Sequence, residues 1–335
     1  MLENQTEALV CSKITSDLTG LNIGTVKTAD LDKNSVRINI KAAALNFPDL
    51  LMSQGKYQNK PDLPFALGME GAGIISEIGN NNSSFNKGDE VIFGGWGHGA
   101  IAKSIVLPEA MISLKPKDYS FAEAACFKTA YLTAYVGLIR RGELKSGEHL
   151  LVHGATGGVG MAAVQLGKLY GASVIATGTS DEKLSVVKKW GADHIINTNK
   201  NNKTDFKEEV KSLTEGNGAD VIYDPVGGDV FDESIRCINW GGRLLVIGFA
   251  AGRIPNIPVN YPLIKGFSVI GVRAGEYGRR DPIKGNENIE IINDLAQSGK
   301  IKPYICKTFQ FKESKEALIY LKERKLVGKV AILIN

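Results

Sequence analysis

The chain has 335 residues, of which 23% are charged, and a formal net charge of +4 at pH 7. The charge is mild and no basic block is interleaved with aromatic residues, so we expect no nucleic-acid binding. No apolar run approaches the roughly 20 residues that span a bilayer, and the N-terminus lacks the apolar core of a signal peptide. The four scattered cysteines are typical of a reducing compartment, so we expect a cytoplasmic protein without a membrane segment.

The first 120 residues are rich in short β segments that glycine, asparagine and proline separate, and helical periodicity begins only near Phe121. This pattern predicts an all-β unit, a small barrel. The length of the whole chain predicts two domains. The segments expected as strands are 36–40, 73–78, 91–93 and 100–107.

A glycine-rich loop follows this β-rich part. Residues 148–152 are apolar enough for a buried strand, and residues 161–170 have apolar side chains at helical spacing. Between them lies His153-Gly154-Ala155-Thr156-Gly157-Gly158-Val159-Gly160. A glycine-rich turn from a strand into a helix presents backbone N–H groups and the positive end of the helix dipole to a phosphate. The segment 154–160 therefore predicts the diphosphate site of a dinucleotide cofactor.

The next apolar run, 172–177, ends where an NAD site carries a carboxylate for the ribose. Here the chain instead continues with Thr177-Gly178-Thr179-Ser180-Asp181-Glu182-Lys183. The hydroxyls of Thr179 and Ser180 and the ammonium of Lys183 suit a 2′-phosphate, which favours NADPH. The alternative is that Lys183 is a solvated residue in the first turn of a helix.

Strands continue to alternate with helices as far as residue 248, which predicts a parallel, doubly wound sheet. In such a sheet the loops at the carboxyl ends of the strands face the ligand. We expect these loops at 154–160, 177–180, 225–228 and 248–252. A final apolar run, 327–334, is predicted to be a strand that returns to the first domain.

Several motifs in this order resemble the zinc-independent quinone oxidoreductases of the medium-chain dehydrogenase/reductase superfamily, over nearly the whole length. They are Ala44-Leu45-Asn46-Phe47-Pro48-Asp49, Gln54-Gly55-Lys56-Tyr57, residues 63–73 (LPFALGMEGAG), Lys87-Gly88-Asp89-Glu90-Val91, residues 154–160, and Asp224-Pro225-Val226-Gly227-Gly228. The resemblance implies an α/β protein with two domains and an active-site cleft between them. One is a GroES-like β-barrel catalytic domain, 1–124 completed by 301–335, and the other is a Rossmann NADPH-binding domain with a doubly wound parallel sheet, 125–300.

The resemblance also bears on metal binding. Zinc-dependent relatives carry a Cys near the position of Asn46, a His at the position of Met69, and a four-Cys structural loop. This chain has scattered cysteines and no histidines at paired spacing, and Glu70 alone does not hold zinc. We therefore expect no metal. The cysteines are Cys11, Cys126, Cys237 and Cys306, and the histidines are His98, His149, His153 and His194.

Without a metal, a hydrogen-bond donor must stabilise the charge that develops on the substrate oxygen. The resemblance implies that Tyr57 faces the substrate as a donor and that Asn46 lies by the nicotinamide, where it positions the ribose or a water. From residue types alone, Tyr57 would be an ordinary, partly buried aromatic residue and Asn46 a turn residue. The cofactor-binding residues expected from the loops and the resemblance are Thr129, Ala155, Thr156, Gly157, Gly158, Val159, Gly160, Thr179, Ser180, Lys183, Val226, Phe249 and Lys329. On sequence evidence alone, Thr129, Phe249 and Lys329 would be surface or packing residues.

Three functions remain open. The first is hydride transfer from NADPH to a quinone or activated enone. The second is NADPH-dependent reduction of a 2-enoyl thioester, for which Lys56, Lys60 and Arg279-Arg280 are candidate contacts to the carrier group. The third is NADPH binding with a structural or RNA-associated role. Relatives are often homodimers that extend the Rossmann sheet, and residues 267–272 are the segment expected to pair.

Overall fold

The computed structural model describes residues 4–79, 83–94, 99–199 and 205–335. The chain divides into two compact units. Unit 1 comprises Met1–Thr129 and Lys302–Asn335, and unit 2 comprises Ala130–Ile301.

The strands of the described residues are β1 (Gln5–Cys11), β2 (Leu21–Lys27), β3 (Ser35–Ala44), β4 (Phe65–Ala66), β5 (Glu70–Ile78), β6 (Glu90–Gly94), β7 (Ser104–Pro108), β8 (Ile112–Leu114), β9 (His149–Val152), β10 (Ser173–Gly178), β11 (His194–Asn197), β12 (Ala219–Asp224), β13 (Ile238–Val246), β14 (Ser268–Gly271), β15 (Ile305–Gln310) and β16 (Lys329–Leu333). The α-helices are α1 (Phe47–Ser53), α2 (Phe121–Ala125), α3 (Lys128–Tyr135), α4 (Gly158–Leu169), α5 (Asp181–Lys189), α6 (Lys207–Leu213), α7 (Gly228–Ser234), α8 (Asn260–Lys265), α9 (Ala274–Arg280), α10 (Pro282–Gln297) and α11 (Ser314–Lys322). Short 3₁₀ turns span Glu109–Met111 and Phe311–Glu313, and a π-helical segment spans Val136–Arg141.

Unit 1 is built on two sheets. The larger has the order β15-β16-β3-β5-β6-β8, with β7 also paired to β3, and the smaller has the order β2-β1-β4. All pairs are antiparallel except β15–β16. The final strand, β16, lies beside β3 with Ala331 opposite Ala44. Inward-facing side chains such as Ile38, Ile75 and Ile332 form the core. This register brings residues near 329 next to residues near 45.

Unit 2 contains a six-stranded sheet with the order β11-β10-β9-β12-β13-β14, in which every pair is parallel. This confirms the predicted doubly wound α/β fold. The strand order runs outward in both directions from the β9–β12 pair, so the sheet reverses there. Ligands of such sheets bind at the carboxyl ends of the strands that flank the reversal. The residues after β9 and after β12 therefore carry the candidate cofactor site of this unit.

One helix was not predicted. Helical structure was expected only from about Phe121, but α1 begins at Phe47, directly after the N-cap residue Asn46. Its signals are local and short: Pro48 lies in the first turn, and the Asp49 carboxylate accepts a hydrogen bond from the Asn46 backbone N–H at 2.8 Å. A helix of seven residues spans fewer than two turns, which is too short to show a periodic apolar face.

Candidate active site

In unit 2, the loop after β9 enters helix α4 through Gly157, the N-cap residue. The loop is held to the sheet because the Ala155 N–H donates to the Thr177 carbonyl at 3.0 Å. The first residues of α4, Gly158 to Gly160, have N–H groups with no acceptor inside the helix. With the dipole of a twelve-residue helix behind them, these groups suit an anion.

Two glycines of this loop have different roles. One lets helix α4 begin close to the loop, and the other leaves space for a ligand. A Cβ at Gly160 would lie 2.3 Å from the Gly154 carbonyl oxygen, so only glycine lets the helix begin this close to the loop. A Cβ at Gly157 would meet nothing closer than that same oxygen at 3.4 Å. The space beside Gly157 is therefore open to a ligand that approaches the backbone. Of the residues expected to bind the cofactor, those from Ala155 to Gly160 lie together here.

His153 anchors the base of the loop, a role that the sequence did not predict. Its Nδ1 lies 2.8 Å from Thr177 Oγ1, and its Nε2 lies 2.8 Å from Ser234 Oγ. The Ser234 hydroxyl donates to the Val230 carbonyl at 2.7 Å, so it accepts from Nε2–H, and Nδ1 accepts from Thr177. Complete burial lowers the pKa of His153 to about 3, so the imidazole is neutral.

The end of β10 carries the residues expected at the 2′-phosphate. The Ser180 hydroxyl caps α5 by accepting from the Lys183 backbone N–H at 3.4 Å. Thr179 is exposed and Lys183 is half-buried. The neighbouring Asp181 carboxylate accepts a hydrogen bond from Asn197 Nδ2 at 3.0 Å.

The loops after β12 and β13 meet each other. Buried Asp224 accepts hydrogen bonds from the N–H groups of Val226 and Gly227 at 2.8 and 2.9 Å, and burial raises its pKa to about 6. The Val226 carbonyl accepts from the Ala251 N–H at 2.9 Å. A Cβ at Gly227 would lie 3.0 Å from the Phe249 ring. The structure therefore brings Val226 and Phe249 together, as expected for two loops at one edge of the sheet.

In unit 1, a buried cluster surrounds Glu70, which is 0% exposed. Its Oε1 accepts from Asn46 Nδ2 and from Lys329 Nζ, both at 2.9 Å, and its Oε2 accepts from the Thr129 N–H at 2.8 Å. Lys329 Nζ also donates to Asn46 Oδ1 at 2.7 Å and to the Leu45 carbonyl at 3.2 Å. Burial opposes the charge of this ammonium, but the Glu70 carboxylate raises the pKa of Lys329 above its usual range. The sequence did not predict this cluster.

The cluster shows what surrounds Lys329. This residue was expected to contact the cofactor or to be a surface or packing residue, and it is buried in unit 1. A lysine ammonium has three donors, and Leu45, Asn46 and Glu70 take all of them, which leaves none for a phosphate. Lys329 therefore fixes neighbouring side chains instead.

Tyr57 and Asp49 are two further candidate residues of unit 1. Tyr57 is half-buried and packs against the core of this unit shortly after α1. Asp49 is fully buried in the first turn of α1, and desolvation raises its pKa to about 7, although the Asn46 N–H and the Lys329 charge both favour the carboxylate.

The residues around Glu70 do not fit a zinc ion. Both ends of the Asn46 amide are hydrogen-bonded, Met69 offers a thioether, and the Glu70 oxygens already accept from an ammonium. Burial raises the pKa of the nearby Cys126 thiol to about 12, so it is no thiolate ligand. Among the described residues, no three His, Cys, Asp or Glu side chains are grouped to hold a metal. His98 lies outside them.

The basic residues expected to contact a thioester carrier group differ in whether they form ion pairs. Arg279 and Arg280 both pair with the single carboxylate of Glu276, at 2.5 and 2.8 Å, so the group keeps a net positive charge. Lys56 and Lys60 are exposed in unit 1. None of the helices in the described ranges is long and apolar enough to cross a membrane.

Comparison with known proteins identifies both units. Residues 32–117 match the alcohol dehydrogenase GroES-like domain, and residues 158–288 match the family described as zinc-binding dehydrogenase. The chain is 38% identical to quinone oxidoreductase-like protein 2 homolog of Nematostella vectensis, over 91% of this chain and 83% of that protein.

Three solved structures are similar over the full length. The quinone oxidoreductase of Pseudomonas syringae has a TM-score of 0.89 and 29% identity, over 98% of this chain and 99% of that chain. The enoyl reductase CurK has a TM-score of 0.87 and 29% identity, over 99% and 100%. A mycobacterial protein complexed with NADPH has a TM-score of 0.88 and 25% identity, over 98% and 99%.

Proposed function

Because the chain belongs to the medium-chain dehydrogenase/reductase superfamily, among the quinone oxidoreductase-like proteins, we propose that this oxidoreductase uses NADPH, without zinc, to reduce a quinone or an activated enone. The observation that carries the proposal is the residue set around Glu70, where the Asn46 amide and the Glu70 carboxylate are bound to each other and to the Lys329 ammonium, a set that does not fit zinc. The likeness to a quinone oxidoreductase structure supports the acceptor class.

In this proposal unit 2 binds the cofactor. The N–H groups of Gly158, Val159 and Gly160 bind the diphosphate, while Ala155, Thr156 and Gly157 shape the loop around it. Val226 and Phe249 line the adjoining loops. Bound NADPH supplies the hydride. The structure of a relative complexed with NADPH supports this choice of cofactor.

The preference for NADPH rests on the end of β10. No carboxylate ends this strand, and the nearest one, Asp181, is engaged by Asn197. Thr179, Ser180 and Lys183 then supply hydroxyl and ammonium donors to the 2′-phosphate. Because Ser180 also caps α5, it holds the backbone of this segment in place.

The acceptor is activated by hydrogen bonding rather than by a metal. Tyr57 donates to the oxygen on which charge develops, and Asn46 positions the cofactor ribose or a water. Lys329 and Glu70 act as positioning residues, because they hold both ends of the Asn46 amide.

The likeness to CurK favours a second candidate, reduction of an enoyl thioester. It requires a basic surface for the carrier group, and the candidates for it are Arg279 and Arg280, which share the single carboxylate of Glu276. A third candidate is NADPH binding with a structural role and negligible turnover.

One assay separates the three. NADPH oxidation is followed with a quinone, a short enone and an enoyl-CoA, in metal-free buffer with and without a chelator. We expect turnover with the quinone or enone that the chelator does not change, and a lower kcat in Tyr57→Phe with unchanged NADPH affinity. Turnover restricted to enoyl-CoA would establish the second candidate. Tight NADPH binding with no oxidation would establish the third.

A further inference from the structure

Strand β10 ends directly against the loop that precedes helix α4. The Thr177 carbonyl accepts a hydrogen bond from the Ala155 N–H at 3.0 Å. At the next residue, a Cβ on Gly178 would lie 3.2 Å from Thr156 Cγ2, so this loop packs against the end of the strand. The residues that follow Gly178 therefore lie beside the diphosphate site, where a dinucleotide places its adenosine ribose. Asp181, the first residue of α5, is exposed there.

The Asp181 carboxylate is bound from the other side of β10, by the edge strand β11. The sheet order places β11 and β9 on opposite sides of β10. Asn197, on β11, lies across from Gly178, and its Nδ2 donates to Asp181 Oδ1 at 3.0 Å. This contact therefore holds the carboxylate toward β11, on the side away from the loop after β9.

Asn197 is itself fixed at both its side chain and its backbone. Its Oδ1 accepts from the Asn199 backbone N–H at 2.9 Å, so the NH₂ group of the amide is the end that faces Asp181. The next residue, Thr198, donates to the Gly178 carbonyl from its N–H at 2.8 Å and from its hydroxyl at 3.2 Å. Asn197 can therefore hold the carboxylate in one position.

A carboxylate beside the ribose distinguishes the two nicotinamide cofactors. It accepts a hydrogen bond from the free 2′-hydroxyl of NADH, whereas it repels the 2′-phosphate of NADPH. Asp181 carries such a charge at an exposed position directly after the N-cap residue Ser180. The direction in which the Asp181 side chain points therefore affects which nucleotide the site prefers.

We propose that Asn197 determines cofactor selectivity, because it binds the Asp181 carboxylate and keeps this charge away from the 2′-phosphate of NADPH. The inference rests on the proposed function and deepens it, since it names the residue that suppresses recognition of NADH. Asn197 acts through Asp181 and is therefore a positioning residue. When Asn197 is removed, the carboxylate turns toward the ribose, where it repels a 2′-phosphate and accepts a hydrogen bond from a 2′-hydroxyl.

The test is a double-mutant cycle in which calorimetry measures the Kd values of NADP⁺ and NAD⁺. We expect Asn197→Ala to weaken NADP⁺ binding about tenfold and to leave NAD⁺ binding unchanged or slightly tighter. Adding Asp181→Ala to that variant should return the Kd of NADP⁺ to within about twofold of wild type, because the released charge is gone. Asp181→Ala alone should change neither Kd by more than about twofold, because Asn197 already holds the carboxylate away.

Asn199→Ala is the matched control. Asn199 lies in the same loop, and alanine keeps the backbone N–H that donates to Asn197. This variant should retain both Kd values. High salt should reduce the difference in NADP⁺ affinity between Asn197→Ala and wild type, because salt screens repulsion between exposed charges and does not restore a lost packing contact.

The outcomes separate the inference from the proposed function. Unchanged NADP⁺ binding in Asn197→Ala, or an equal loss for both nucleotides that Asp181→Ala does not reverse, would overturn the role of Asn197 and leave the proposed function standing. A wild-type protein that binds neither nucleotide would overturn both.

Discussion

The Asn46 amide has one orientation, because its two ends meet chemically different partners. Its oxygen accepts from the Lys329 ammonium, and its NH₂ group donates to the Glu70 carboxylate. Rotating the amide by half a turn would place two donors together and two acceptors together, so the network fixes the orientation. These partners lie 24 and 283 positions away along the chain, and no pattern around residue 46 reports them.

Cofactor preference is testable at a single residue. Replacing Lys183 with Gln removes one charge-assisted hydrogen bond to the 2′-phosphate, so we expect the KM for NADPH to rise about tenfold while the KM for NADH barely changes. Steady-state kinetics with both nucleotides provide the measurement. Lys188→Gln, in an exposed position of the same helix, is the control and should keep both values. Equal changes for the two nucleotides would show that Lys183 does not contact the 2′-phosphate.

His153 joins three elements beneath the cofactor loop. Its ring connects the end of β9 to Thr177 on β10 and to Ser234 on α7. Both ring nitrogens are engaged and the site is fully buried, so the ring must stay neutral for these contacts to persist. The position of the loop therefore depends on a group that becomes charged in the unfolded chain near pH 6.5.

The contribution of His153 to the stability of the fold should decrease as the pH falls. The pKa of His153 falls from its usual 6.5 to about 3 on folding, so its contribution to stability is complete above pH 6.5 and is lost as the pH falls toward 3. Between pH 6.5 and pH 5 the loss is about 2 kcal/mol. The raised pKa values of Asp49 and Asp224 act in the opposite sense, so the comparison must be with a variant.

We expect His153→Gln to be less stable than wild type at pH 7.5 and to lose less stability on acidification. Urea unfolding at pH 7.5 and pH 5 should show the gap between the two proteins narrowing by about 2 kcal/mol. Parallel stability curves would mean that the folded protein tolerates a charged ring at position 153.

At the scale of the whole molecule, the features that could be predicted are those that depend on residues close together in the sequence. The alternating strands and helices of unit 2 predicted the parallel sheet and the position of the loop at 154–160, because each element carries its own apolar periodicity. The cluster around Glu70 was missed, because the N-cap of α1, β5, β16 and the start of α3 each contribute one member. Its assembly depends on strand register, such as the pairing of Ala331 with Ala44, which one sequence does not reveal.

We predict that the whole molecule is a homodimer. Within the described chain, β14 pairs only with β13 and therefore forms an edge of the sheet in unit 2. Helix α8, directly before this edge strand, exposes Leu263 and Ile264 by 80% and 69%. An unpaired edge flanked by exposed apolar side chains favours association, and two copies of one edge strand can pair across a twofold axis.

Light scattering after size-exclusion chromatography should give about twice the 36.1 kDa of one chain. We expect Leu263→Glu combined with Ile264→Glu to halve that mass, because the dimer would bury two carboxylates per copy without partners. Ile283→Glu is the control, since Ile283 is 75% exposed in the same unit but lies on α10. A wild-type protein with the mass of one chain, or a dimer that survives the double substitution, would place association elsewhere than at this edge.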